Sequence, residues 1–219
     1  MAWPEAATIA AHSVLAIPVG STEQHGPHLP LTTDTDIAVA LTVRLADRLD
    51  DVIIAPALPF GSSGEHAGFS GTLSIGGPAL ERLVVELVRS ADAFAGVVLV
   101  SGHGGNAEPL GDALSVLRSE GRRAMVWSPV VPGGDAHAGH SETSMMLALR
   151  PAQVAMAAAR PGDTRTLGEL LPLLRAGGVA SVSANGVLGD PAEASCDQGA
   201  TLLDQLEDDL VAAVRRWRS

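Results

Sequence analysis

No lysine and no tyrosine occur in this chain of 219 residues, and it holds a single cysteine, Cys196. Each absence removes a class of chemistry. Without a lysine amine there is neither a Schiff base nor a P-loop; all fourteen basic residues are arginine. Without tyrosine, no phenol serves as acid or base. One cysteine makes neither an internal disulfide nor a thiolate zinc cluster, so any metal must be held by His, Asp and Glu. Cys196 itself is expected as a buried or loop residue and not as a nucleophile. A Gly-x-Ser-x-Gly elbow is missing too, which counts against a serine hydrolase, although His103 with the glycines after it resembles an oxyanion-hole segment. No apolar run approaches the ~18 residues of a membrane span. Residues 1–13 show no basic region followed by a long apolar stretch, so no signal peptide is expected and the cytoplasm is the expected compartment. A net charge of −11 argues against a nucleic-acid partner, which requires a basic face.

What is present is a chain 46% apolar, enough for one domain over 1–219 with a sizeable core. Short β-rich runs at Val14–Val19, Val52–Ala57, Gly96–Ser101 and Ala124–Ser128, with a weaker one at Val179–Ser183, suit strands buried on both faces. Helical patterns lie between them at about 36–49, 78–93, 105–120, 142–149 and 198–217. The last places Leu203, Leu206, Leu210, Val214 and Trp217 on one stripe. The Ala-rich stretch 152–160 reads as a helix or a connection. This β-α-β-α order predicts an α/β fold, a three-layer α/β/α sandwich with a mostly parallel sheet.

Six of the seven histidines fall in Gly-rich segments after a strand or at the start of a helix. Open parallel sheets bind ligands there. In Gly20-Ser-Thr-Glu-Gln-His-Gly-Pro-His28, Glu23 and His25 are two apart, so an extended backbone points both the same way. Asp34 is either the cap of the next helix or a carboxylate aimed into the crevice. In Gly64-Glu-His-Ala-Gly68, Glu65 and His66 fit a pocket wall. Ser101-Gly-His-Gly-Gly-Asn106 sets His103 among bare backbone, whose amides suit an oxyanion. In His137-Ala-Gly-His-Ser-Glu142, Glu142 suits either the helix dipole or a metal, with His137 a proton donor and His140 a supporting partner. Two or three of these histidines with the carboxylates Glu23, Asp34 and Glu142 are thus candidate metal donors, and His137 is a candidate proton donor. Substrate-side candidates are His28, Glu65, His66, Gly104, Gly105 and Asn106. Such oxygen and nitrogen donors suit Zn, Fe or Mn, and a dinuclear site with a bridging carboxylate is the natural arrangement. A non-catalytic binding subunit is the rival from another class; the full donor set counts against it.

Together with Gly186-Val-Leu-Gly-Asp-Pro191, these segments resemble the creatininase family of amide and cyclic-amide hydrolases, in the same order over residues 14–191. The resemblance implies a three-layer fold and two divalent ions per subunit, on Glu23, His25, Asp34, His103 and Glu142, with Asp34 bridging. It further implies a proton-moving His137 and homo-oligomers, often hexamers. In creatinine hydrolases a glutamate ligand comes two residues after the motif histidine. Here that place is Gly105, which puts creatinine in doubt and leaves the carboxylate to Glu142. Within the Gly-His-Gly-Gly-Asn branch, the chain is most similar to a member that releases a C-terminal Val-Tyr dipeptide from a modified precursor peptide. The substrate is then a peptide or, alternatively, a small cyclic amide or formamide.

Overall fold

A β-strand that is apolar nearly throughout has to be covered on both faces, and a sheet built on two such central strands forms the centre of the molecule. The computed structural model describes residues 1–219. Its sheet comprises β1 (Val14–Val19), β2 (Val52–Ile54), β3 (Gly96–Ser101) and β4 (Ala124–Trp127), in the order β2-β1-β3-β4 with every pairing parallel. Seven α-helices accompany it: α1 (Trp3–Ile9), α2 (Thr33–Arg48), α3 (Gly77–Ser90), α4 (Ala107–Ser119), α5 (His140–Leu149), α6 (Leu167–Gly177) and α7 (Cys196–Arg218).

Side chains alternate along each strand, which divides the core in two. Val14, Ala16, Val98 and Val100 face α2, α5 and α7; Ile17, Val19, Val97 and Leu99 face α3 and α4. This is the expected α/β/α sandwich. Leu99 is fully buried in the central pair of strands. Leu99→Ala is expected to cost about 2–5 kcal/mol, read as a lower urea midpoint at unchanged slope. An unchanged midpoint would show that this face is not close-packed.

Some expectations are corrected, and others left open are resolved. Residues Val179–Ser181 form a 3₁₀ turn and not a strand. Gly178, at φ 69°, turns the chain out of α6 there, and no neighbouring strand pairs with it. β2 stops at Ile54, before Pro56, which has no N–H to offer a ladder. The Ala-rich 152–160 is a connection with 3₁₀ turns at Pro151–Gln153 and Met156–Ala158. Cys196 is exposed at the start of α7 and neither buried nor in a loop. Trp127 is a core residue, and its Nε1 donates to Asp209 at 2.8 Å.

The strand order carries the functional consequence. From β1 the chain runs outward to β2, then returns to the other side of β1 for β3. The crevice between the carboxyl ends of β1 and β3 is therefore the topological switch point, where such sheets place ligands. Glu23 and His25 follow β1, and His103 follows β3.

Candidate metal centre

Two glycines allow the crevice to close. A Cβ on Gly20 would strike the backbone of Thr35, and one on Gly102 would strike that of Asp34. With neither Cβ present, the first turn of α2 lies across the ends of β1 and β3. Asp34 sits inside that turn and makes no cap; the cap position is Thr32. The capping role is thus excluded, and the carboxylate points at the histidines. Asp34 Oδ1 is 3.0 Å from His25 Nε2, and Oδ2 is 3.4 Å from His103 Nδ1.

The other predicted donors arrange themselves around this carboxylate. Glu23 Oε2 is 3.2 Å from His103 Nε2, and Glu142 Oε2 is 3.8 Å from His25 Nε2. Glu142 stands in the first turn of α5, where its Oε2 accepts the Ala138 N–H at 2.6 Å. Ala138 is the one non-glycine residue with positive φ, 52°, and it is fully buried. That conformation costs an alanine about 1–2 kcal/mol, and strain of this kind gathers at functional sites. It turns His137 and Glu142 toward the same point.

Three trios of side chains bring their donor atoms within 4.8 Å of one another: Glu23, Asp34 and His103; His25, His137 and Glu142; Glu23, His66 and His137. All five metal candidates are thus gathered, joined by His66 and His137. Glu23 and Asp34 are buried, yet both Glu23 oxygens and Asp34 Oδ2 have no hydrogen-bond partner. A buried carboxylate oxygen without a partner is costly, so these residues fit a cation and lack any other compensation.

Protonation tells the same story. Burial and the neighbouring Asp34 push Glu23 up to about 7, and burial does the same for Glu142. Burial acts against the charged form of His25, but Asp34, Glu142 and Glu23 outweigh it and raise the ring to about 10. At His103 burial is outweighed by Glu23, Glu65 and Asp34, giving about 9. Protons thus occupy the donors that a cation would use. Near neutral pH cation binding must therefore expel protons from these donors, and affinity must fall as pH falls. Calorimetric titration in buffers of different ionisation enthalpy is expected to show that release. A buffer-independent heat would contradict it.

A cavity of about 790 Å³ opens onto the cluster through Asp34, His103, His137 and Glu142. Glu65, His66, Gly104 and Gly105, four of the substrate-side candidates, line it. α6 forms part of the wall through Leu167, Leu171 and Leu174. Two substrate-side candidates are not in this wall. His28 is buried, with Nε2 at 2.9 Å from Thr143 Oγ1, and Asn106 ties the Gly20 carbonyl to the Ser62 N–H. Both are internal struts. His140 begins α5 and lines a separate groove. A Cβ at Gly105 would strike Glu65, His103 and Ser62, so a glutamate has no room in this loop as it stands. Sequence reasoning missed α6 and also Gln24, whose amide contacts His66. No spacing rule marks a glutamine between two predicted ligands.

The profile of the Creatininase family, described as creatinine amidohydrolase, matches residues 1–214. The mycofactocin precursor peptide peptidase of Mycobacterium tuberculosis is 49% identical over 214 residues, 93% of this chain and 85% of that protein. Among solved structures, a creatinine amidohydrolase (creatininase) superposes with a TM-score of 0.83 at 27% identity, covering 99% of this chain and 95% of that one. A structure described as creatininase Mn gives 0.84 at 27%, over 99% and 96%.

Proposed function

Because the chain belongs to the creatininase family, metal-dependent amidohydrolases that cut C–N bonds, we propose that it releases the C-terminal Val-Tyr dipeptide from the modified mycofactocin precursor peptide, using two divalent cations. The observation that carries the two-cation reading is the division of Asp34. One oxygen faces His25 and the other faces His103, with Glu142 beside the first and Glu23 beside the second. Glu23, Asp34 and His103 would hold one ion, and His25, Asp34 and Glu142 the other, each zinc, iron or manganese. When bound, such ions lower the pKa of water toward neutrality and polarise the amide carbonyl.

The chain's own groups supply the rest. An amide nitrogen leaves poorly unless protonated, so a proton must be carried to it. His137 is suited to that task. Its Nε2 donates to the Gln24 carbonyl at 2.8 Å, which leaves Nδ1 free on the side of Glu23. Burial first, and then the positive charge on His25, hold its pKa well below the usual value. The ring therefore waits neutral, takes the proton of the attacking water at Nδ1 and yields it to the departing nitrogen. Gly104 and Gly105 line the cavity, and their backbone amides would suit the oxygen of a carbonyl under attack. Leu167 and Leu171 offer an apolar wall, and about 790 Å³ lies within the range of ligand pockets. The crowding at Gly105 disfavours the creatinine-hydrolase arrangement. A cytoplasmic homo-oligomer, hexameric as the resemblance implies, belongs to the same proposal.

The test is mass spectrometry of the precursor peptide incubated with the protein, its maturation partners and added Fe²⁺ or Zn²⁺. The expected result is appearance of the released dipeptide portion and of the shortened peptide. An intact peptide beside a metal-loaded protein would redirect the assignment to a small cyclic amide or formamide.

A further inference from the structure

Gln24 is buried between Glu23 and His25, and its partners leave no freedom in how its amide is oriented. The Gly26 N–H donates to Oε1 at 2.8 Å, and Nε2 donates to the Gly186 carbonyl at 3.0 Å. A backbone N–H only donates and a carbonyl only accepts, so the amide cannot be turned over. The second hydrogen of Nε2 meets His66 Nδ1 at 2.9 Å, and that nitrogen has to accept it. An imidazole that accepts at Nδ1 carries its own hydrogen on Nε2.

This settles what His66 offers the site. Its Nε2 lies 3.2 Å from Glu23 Oε1 and is the ring nitrogen turned toward that carboxylate. Bearing a hydrogen, it has no lone pair to give. The backbone of the same glutamine sets His137 the opposite way. Nε2 of His137 donates to the Gln24 carbonyl at 2.8 Å, and Nδ1, 3.8 Å from Glu23 Oε1, keeps its lone pair. The 3.1 Å approach of Gln24 Nε2 to His137 Nε2 joins two N–H-bearing atoms and is not a bond.

We infer that Gln24 is a positioning residue that fixes the tautomer of His66 and keeps it out of the cation ligand set. The trio of Glu23, His66 and His137 then drops out as a cation site. Glu23 Oε2, on the His103 side, is the oxygen beside the Asp34 cluster. Only the expected change in affinity rests on the two-cation reading; the tautomers can be read separately.

The experiment is long-range ¹H–¹⁵N NMR of histidine-labelled, zinc-loaded full chain, with Gln24→Glu and Gln24→Met beside it. In the wild type, His66 and His137 are both expected to carry hydrogen on Nε2. In Gln24→Glu the new carboxylate accepts from His66 Nδ1, so the His66 tautomer inverts. His137, held by a backbone carbonyl, stays as it was. Calorimetric zinc affinity is expected to fall roughly 10–100-fold, with a smaller loss in Gln24→Met, which unlocks His66 without adding charge. Hydrogen on Nδ1 of His66 in the wild type overturns the inference even if both variants misfold, and so does an unchanged His66 tautomer in Gln24→Glu. A wild type that binds no zinc would sink the two-cation reading instead, and the metal-free spectrum would still report the tautomers.

Discussion

Asp34→Ala is expected to lose bound metal and amidohydrolase activity together, with turnover down roughly 10³-fold or more, since both cation functions disappear at once. No other carboxylate has one oxygen beside His25 and the other beside His103. Its removal takes away the one group shared by the two proposed ligand sets and leaves two histidines whose raised pKa values depended partly on it. The fold should persist, because Asp34 makes no cap and its helix is anchored by Ile37, Leu41 and Leu45 in the core. Metal analysis by plasma mass spectrometry, circular dichroism and an activity assay on one preparation separate these outcomes. A folded Asp34→Ala protein that retained two ions per chain would contradict the assignment.

His137→Ala is expected to behave in the opposite way: metal retained, turnover down about 10²–10⁴-fold, the usual contribution of a positioned proton carrier. His137 belongs to neither of the three-residue ligand sets assigned above. Its task is to move a proton between water and the leaving nitrogen. The loss should be smaller for substrates whose leaving nitrogen is less basic and needs less help. If His137→Ala lost its metal as completely as Asp34→Ala, His137 would be a ligand, as its place in two of the donor trios allows geometrically.

Much of this arrangement could be read in the sequence, because it depends on local pattern. β1, β3 and the stripe of α7 follow from continuous or periodic apolar residues. The four Gly- and His-rich segments mark strand ends, and all five metal candidates converge. What escaped has a physical cause in each case. α6 carries Pro172 inside it, with small residues after it, which breaks the helical pattern even though a Thr166–Glu169 capping box begins it. Val179 is apolar because it packs against Leu170 and Leu188, not because it pairs in a sheet. His28 and Asn106 look like site residues in a motif, but their hydrogen bonds run inward to Thr143, Gly20 and Ser62. Those partners lie 115, 86 and 44 positions away, beyond the reach of any spacing argument. The role of Gln24 is hidden for the same reason: it emerges only when its donors and acceptors are counted in space.

Two cations astride Asp34 are the claim on which the rest depends. Anomalous diffraction from crystals grown with manganese addresses it directly. The expected map has two peaks per chain, one against Glu23, Asp34 and His103, the other against His25, Asp34 and Glu142, with His66 outside both coordination shells. A single peak, or peaks elsewhere with these five side chains uncoordinated, would contradict the account.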